Sequence, residues 1–183
     1  MGQTGTGKSR LVRRIVSRLK RVIIADYMAE YTDLAEPITL EELAALAPKL
    51  TNPGAAFQYA VIGEPNDLIE SCRAAWAIGR CMMVIEEIDM HCKGHFLPQD
   101  INGLVQTGRH RAVSLIGVSR NPAAIPKQFL AQSSARISFR QTEPRHIDYM
   151  YQYGFDREAL KTLQRDHFLL VGETSLLDGD LKS

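Results

Sequence analysis

The sequence has little cysteine, no excess of charge and no long apolar run, and each scarcity excludes something. Only Cys72, Cys81 and Cys92 carry thiols. An odd count without a CxxC pair argues against a disulfide framework and against a zinc ribbon. His91, Cys92 and His95 lie close together, but a solvated loop after a strand explains them better than a metal. Lysine and arginine number 22 against 21 aspartate and glutamate, a formal net charge of +1. That balance excludes a chain that binds nucleic acid by bulk basicity. DNA contact would have to come from a local patch, or from copies arranged around a ring. The longest apolar stretches, such as Cys81 to Ile85, are far too short to span a bilayer. A basic segment follows the first nine residues, where a signal peptide would need an apolar run. The expectation is a soluble, intracellular protein with no direct membrane insertion.

What is present is an average globular mixture, 45% hydrophobic and 23% charged, which excludes a disordered or collagen-like chain. A length of 183 residues fits a single α/β domain spanning residues 1–183. Leu11, Val12, Ile15, Val16 and Leu19 recur with helical spacing, so the pattern predicts an amphipathic helix over 8–20. Val22 to Ala25 reads as a short buried strand ending at Asp26. Thr39 and Glu42 predict a capped helix to Leu46, and Asn66 or Asp67 predicts the cap of another to Ile78. Strands are expected at 57–62, 82–85, 113–118, 136–140 and 167–171, with helices at 99–109, after Pro126, at 144–151 and after Asp156. Strands that alternate with helices imply a mostly parallel sheet flanked by helices.

Gly2-Gln3-Thr4-Gly5-Thr6-Gly7-Lys8-Ser9 matches the phosphate-loop pattern GxxxxGK[ST] at every defined position. Glycines let backbone N–H groups converge on a phosphate chain, and the following helix adds its positive end. Lys8 would reach the β and γ phosphates of ATP, and the Ser9 hydroxyl would ligate Mg²⁺. Gly2 and Thr6 also fit a loose myristoylation pattern, but the same residues have this better use. Such a loop is expected to follow a buried strand, and only Met1 precedes Gly2. The expectation is therefore a first strand that is missing from the N-terminus, either because the true start lies upstream or was trimmed, or because the sheet lacks that strand.

Met82 to Ile85 is an apolar strand that ends in Glu86 and Glu87. A hydrolytic site needs one acid for the magnesium shell and another to orient the attacking water. Successive residues at a strand end point to different sides, so Glu86 is read as the magnesium acid and Glu87 as the base. Aspartate is usual at the first position; the longer glutamate arm would shift the metal or interpose a water, and Asp89 is the fallback.

Gly108-Arg109, the strand through Val118, the turn Ser119-Arg120-Asn121-Pro122 and the segment Ala135 to Arg140 together resemble the FtsK/HerA superfamily of DNA-pumping ATPases. The likeness runs in order from Gly2 to Val171. It implies a P-loop NTPase of the RecA-like (ASCE) type. It implies that Arg109 reaches the nucleotide of the adjacent subunit, and that Ser119 and Arg120 occupy the sensor turn. That family usually carries glutamine where Arg120 stands, so either Arg120 contacts phosphate directly or Ser119 takes the polar role. The chain is most similar to the stand-alone ATPases that package genomes into tailless icosahedral viruses. Its implied partners are double-stranded DNA, further copies of itself in a hexameric ring, and capsid or portal proteins. Its implied location is the host cytoplasm or the virion. An FtsK/HerA-like translocase and a phage morphogenesis or secretion ATPase are the alternatives within that class. A small-molecule kinase and a non-hydrolysing nucleotide-binding scaffold are the alternatives outside it. Lys93 with its histidine neighbours, and Arg109-His110-Arg111, are the local basic clusters.

Overall fold

The computed structural model describes residues 5–92 and 96–173. Helix α1 spans Lys8–Val16 and leads into strand β1 at Arg21–Ala25. Strand β2 (Glu36–Ile38), helix α2 (Leu40–Leu50), strand β3 (Phe57–Val61) and helix α3 (Pro65–Ile78) follow. Strand β4 (Met82–Ile85) leads through the short helix α4 (Ile88–His91) to α5 (Gln99–Thr107) and strand β5 (Ser114–Gly117). Helix α6 (Lys127–Gln132), strand β6 (Ala135–Ser138), helices α7 (Pro144–Tyr151) and α8 (Arg157–Thr162) and strand β7 (Leu169–Gly172) complete the order.

Five strands form a parallel sheet in the order β2-β3-β1-β4-β5. The central strands are buried on both faces, as parallel strands with helical crossovers must be. Along β1 the pleat sends Val22 and Ile24 to a core with Val12 and Val16 of α1, and Ile23 and Ala25 to a core with Leu43, Leu68 and Ile101. Arg21 ties the strand starts together. Its guanidinium donates to the carbonyls of Leu50, Asn52, Ala55, Gly79 and Arg80 and lies 4.7 Å from the Phe57 ring centroid.

Several boundaries differ from the sequence expectation. Helix α1 stops at Val16, because Arg18 and Leu19 donate to the carbonyls of Ile15 and Val16 in tight turns that swing the chain into β1. Glu64, rather than Asn66 or Asp67, caps α3, with Asp67 as its reciprocal partner and Pro65 in the first turn. The Thr39–Glu42 capping box is present, but α2 runs on through Pro48 to Leu50. The last two strands pair antiparallel with each other in a separate sheet, with Arg136 opposite Val171.

Among the described residues no strand precedes α1, and β5 ends the five-stranded sheet. Between β5 and β6 runs an apolar groove of about 170 Å³, floored by Leu11, Val12 and Ile15 of α1 and flanked by Leu115, Phe129 and Ile137. Among the described residues, no helix is long and apolar enough to cross a membrane.

Candidate nucleotide site

The parallel sheet gathers its strand ends on one edge. Ala25 pairs with Ile85 and Ile85 with Gly117, so the residues after β1, β4 and β5 lie side by side. The backbone N–H of Glu86 donates to Ala25 O at 3.2 Å, and that of Ile88 to Val118 O at 2.8 Å. The loop before α1 meets this same edge. Gly5 and Gly7 take φ of +76° and +112°, values that favour glycine. Space adds a second reason at Gly7: a Cβ there would stand 2.7 Å from Asp166 Oδ1 and 3.1 Å from the Phe139 ring. Gly2, Gln3 and Thr4 lie outside the described residues.

Lys8, Ser9, Glu30, Glu86, Glu87 and Arg120 line one polar cavity of about 270 Å³. The structure thus brings together the phosphate-loop lysine and serine, the acidic pair and the sensor-turn arginine. The two glutamates divide as their positions at a strand end require. Glu86 is 6% exposed, and one of its carboxylate oxygens accepts the phenolic O–H of Tyr31. Glu87 takes a left-handed backbone, φ +49°, and its Oε1 lies 2.5 Å from Arg120 Nε. A non-glycine residue in that region costs about 1 kcal/mol or more and persists where the surroundings enforce it. Asp89 sits in the first turn of α4, and its Oδ1 is buried with no hydrogen-bond partner among the described residues.

Electrostatics follow from this crowding. Burial pushes the Glu86 carboxyl up to about 7, against the favourable Tyr31 hydrogen bond, and the carboxylates of Glu30, Glu87 and Asp26 push the same way. Burial raises Glu87 as well, opposed by the Arg120 and Lys8 charges. Burial and the nearby Arg120 lower the Lys8 ammonium, while Glu87, Glu86 and Asp89 support its charge. An anion entering the cavity would therefore meet Lys8 and Arg120, and a cation would meet carboxylates.

The donor set fits a hard divalent cation beside a phosphate chain. It consists of oxygens alone, from Ser9 Oγ, Glu30 and Glu86, with no thiolate or imidazole in the cavity lining. Ser9 Oγ donates to Glu30 Oε2 at 3.0 Å, so those two groups already share one locus.

Other expected residues lie elsewhere. Ser119 is fully buried and its Oγ accepts the backbone N–H of Asn121 at 3.0 Å, which makes it a turn former that does not line the cavity. Arg109 is exposed on the short 3-10 turn after α5 and lines a different hollow with Met82 and Ser114, the first residues of β4 and β5. That is the edge of the sheet opposite the polar cavity. Arg111 clamps the end of α3, donating to Trp76 O and Ala77 O. Lys93 and His95 fall outside the described residues. Among the described residues no cluster of metal-ligating side chains includes His91 or Cys92; the Cys92 thiol turns to Ile88 O at 3.2 Å.

Sequence reasoning missed Asp26, Glu30, Tyr31 and Asp166. The first three form the turn after β1. A carboxylate ending a buried strand is the signal that marked Glu86, and Asp26 carries it equally. Asp166 closes the phosphate loop from the far end of the chain: its N–H donates to Thr6 O at 3.1 Å and its Oδ2 lies 2.6 Å from Arg10 Nη1. Nothing local marks it.

Comparison with known proteins bears on the fold. Residues 1–76 match the family described as Helicase HerA, central domain. No curated protein matches the sequence. The structure of the genome packaging NTPase B204 from Sulfolobus turreted icosahedral virus 2, in complex with AMPPCP, superposes with a TM-score of 0.75 at 22% identity, covering 96% of this chain and 91% of that one. The DNA-packaging ATPase B204 from Sulfolobus turreted icosahedral virus gives a TM-score of 0.72 at 21% identity over the same shares. VirB4 of Thermoanaerobacter pseudethanolicus gives 0.66 at 14% identity, covering 93% of this chain and 85% of that one. The chain has the α/β fold of P-loop packaging ATPases, and it resembles the FtsK/HerA superfamily, through the HerA central domain, over its first 76 residues.

Proposed function

We propose that this chain is an ATPase that moves double-stranded DNA, acting as a ring that packages a viral genome. The observation that carries the proposal is the single cavity in which Lys8, Ser9, Glu86, Glu87 and Arg120 converge. A scaffold that only holds nucleotide needs the phosphate loop and its lysine. It does not need a second carboxylate held beside a cation, and a small-molecule kinase would need an acceptor pocket there instead. The likeness to the packaging NTPase B204 across 96% of the chain supports the biological direction.

In this reading Lys8 and the N-terminal end of α1 hold the β and γ phosphates of ATP. Ser9 and Glu86 would hold Mg²⁺, which supplies charge neutralisation of the phosphates when bound. Glu87 orients the attacking water and takes its proton, and Arg120 donates to the γ-phosphate as charge develops there. Arg109, on the opposite edge of the sheet, serves the site of an adjacent copy. A ring answers the charge balance: few basic residues per copy suffice when symmetry repeats them around a pore.

The test is ATP hydrolysis with and without linear double-stranded DNA, together with size measurement in the presence of a non-hydrolysed ATP analogue and DNA. Magnesium-dependent turnover stimulated by DNA, and assembly from monomer to ring, are the expected results. Binding without turnover would favour the scaffold reading. Turnover by a monomer indifferent to DNA would sink the motor.

A further inference from the structure

The turn after β1 is built more rigidly than a connection requires. Asp26 is fully buried, and its Oδ1 and Oδ2 accept the backbone N–H groups of Glu30 and Tyr31, each at 2.9 Å. Tyr31 is also fully buried. The Arg13 guanidinium lies 5.3 Å from its ring centroid and is itself held by both oxygens of Asp33 at 2.8 Å. Arg13 also donates to the Glu30 carbonyl. The phenol therefore has one orientation, and its O–H donates to Glu86 Oε1.

That contact uses the longer arm that sets glutamate apart from the aspartate expected at this position. Strands β1 and β4 are neighbours, so the side chains that follow them share one edge. The extra methylene of Glu86 lets its carboxylate reach Tyr31, five residues beyond Asp26. With Oε1 accepting from the phenol, the carboxylate plane is fixed and Oε2 is the oxygen free of that bond.

We propose that Tyr31 is a positioning residue for Glu86, and that the Asp26–Tyr31 turn is the frame that sets how the magnesium acid faces the cavity. The inference rests on the ATPase reading. Partners that orient a metal-binding group typically change metal affinity by about 10- to 100-fold when removed. A buried phenol that merely satisfied its own hydrogen-bonding need would leave metal affinity alone.

The experiment titrates Mg²⁺ into protein with a fluorescent, non-hydrolysed ATP analogue and reads nucleotide binding. Tyr31→Phe removes the hydroxyl and keeps the ring. It should raise the half-saturating Mg²⁺ concentration about 10-fold, with analogue affinity in EDTA unchanged within about twofold. Added to Glu86→Ala, which leaves the phenol no acceptor at this position, the same change should shift the midpoint no further, because the interaction it removes is already gone. Asp26→Asn loosens the frame without altering either side chain and should move the midpoint in the same direction, so the proposal stays testable if Tyr31→Phe folds poorly. An unchanged midpoint in Tyr31→Phe, or in Asp26→Asn where Tyr31→Phe does not fold, overturns the positioning role. So does an equal shift in the Glu86→Ala background. A wild-type chain that binds no nucleotide overturns the ATPase reading first, and the positioning role falls with it.

Discussion

The Nε of Arg120 lies 2.5 Å from Oε1 of Glu87, and its Nη2 lies 3.9 Å from Glu30. The side chain assigned to sense phosphate is thus engaged with the side chain assigned to activate water. A γ-phosphate entering the cavity competes with Glu87 for the same guanidinium. Arg120→Ala is expected to lower kcat about 100-fold, in the range for loss of one transition-state donor, while ATP affinity changes only a few-fold. Arg120→Gln, which installs the side chain usual in the family it resembles, should lose less. Steady-state hydrolysis beside direct nucleotide binding checks both.

Lys8 and Glu87 should separate binding from chemistry. Lys8→Ala removes the cation proposed to hold the phosphates and is expected to abolish measurable nucleotide binding and turnover together. Glu87→Gln keeps size and polarity but cannot accept a proton. It should bind the ATP analogue as wild type does and lose at least about 100-fold in kcat. Normal hydrolysis by Glu87→Gln would remove it from the role of base.

Arg109 stands on the sheet edge away from its own cavity, lining a hollow with Ser114. If it serves a neighbour, Arg109→Ala binds nucleotide normally and turns over poorly. Mixing it with Glu87→Gln should then restore activity, because a mixed ring contains some sites with an intact base and an intact neighbouring arginine. Two inactive variants that stay inactive when mixed would argue against action in trans.

Burial gives Glu86 a pH signature in the metal-free protein. Its carboxyl is raised from the ordinary 4.5 to about 7, so the folded state holds this proton more tightly than the unfolded chain does. The resulting stability is complete below about pH 4.5 and is lost as pH rises towards 7, on the order of 3 kcal/mol in all. Glu86→Gln has no proton to lose. Its stability relative to wild type should therefore climb between pH 5 and 8 in EDTA, as read by urea midpoints. A difference that stays constant with pH would mean the carboxyl titrates normally.

Much of the fold could be read from periodicity alone, because it rests on local rules. The Thr39–Glu42 box, the apolar run of β4 and the Asp156 cap of α8 each follow from a few adjacent residues. Strand β2 escaped notice because it is three residues long, carries Pro37 and sits on the sheet edge, where a missing N–H is tolerated. The antiparallel pairing of Arg136 with Val171 joins segments far apart in sequence, and no local pattern encodes it. The site divided in the same way. Lys8, Ser9, Glu86 and Glu87 sit in contiguous motifs and were legible. Tyr31 and Asp166 act only through the side chains that folding brings to them. No motif marks Arg21, yet it gathers five carbonyls from the ends of α2 and α3 and their loops.

The clasp of Asp166 on the phosphate loop has a consequence for the order in which this protein becomes functional. Arg10 and Asp166 are 156 positions apart, so the contact closes across nearly the whole polypeptide. Closing so long a span is entropically late and must be rewarded by structure already in place. A nascent chain that has emerged only as far as β5 carries the complete phosphate-binding motif but lacks the wall that Asp166 provides. The cavity wall beside the loop is therefore completed only by the last part of the chain, and the motif at the beginning is closed by residues made at the end.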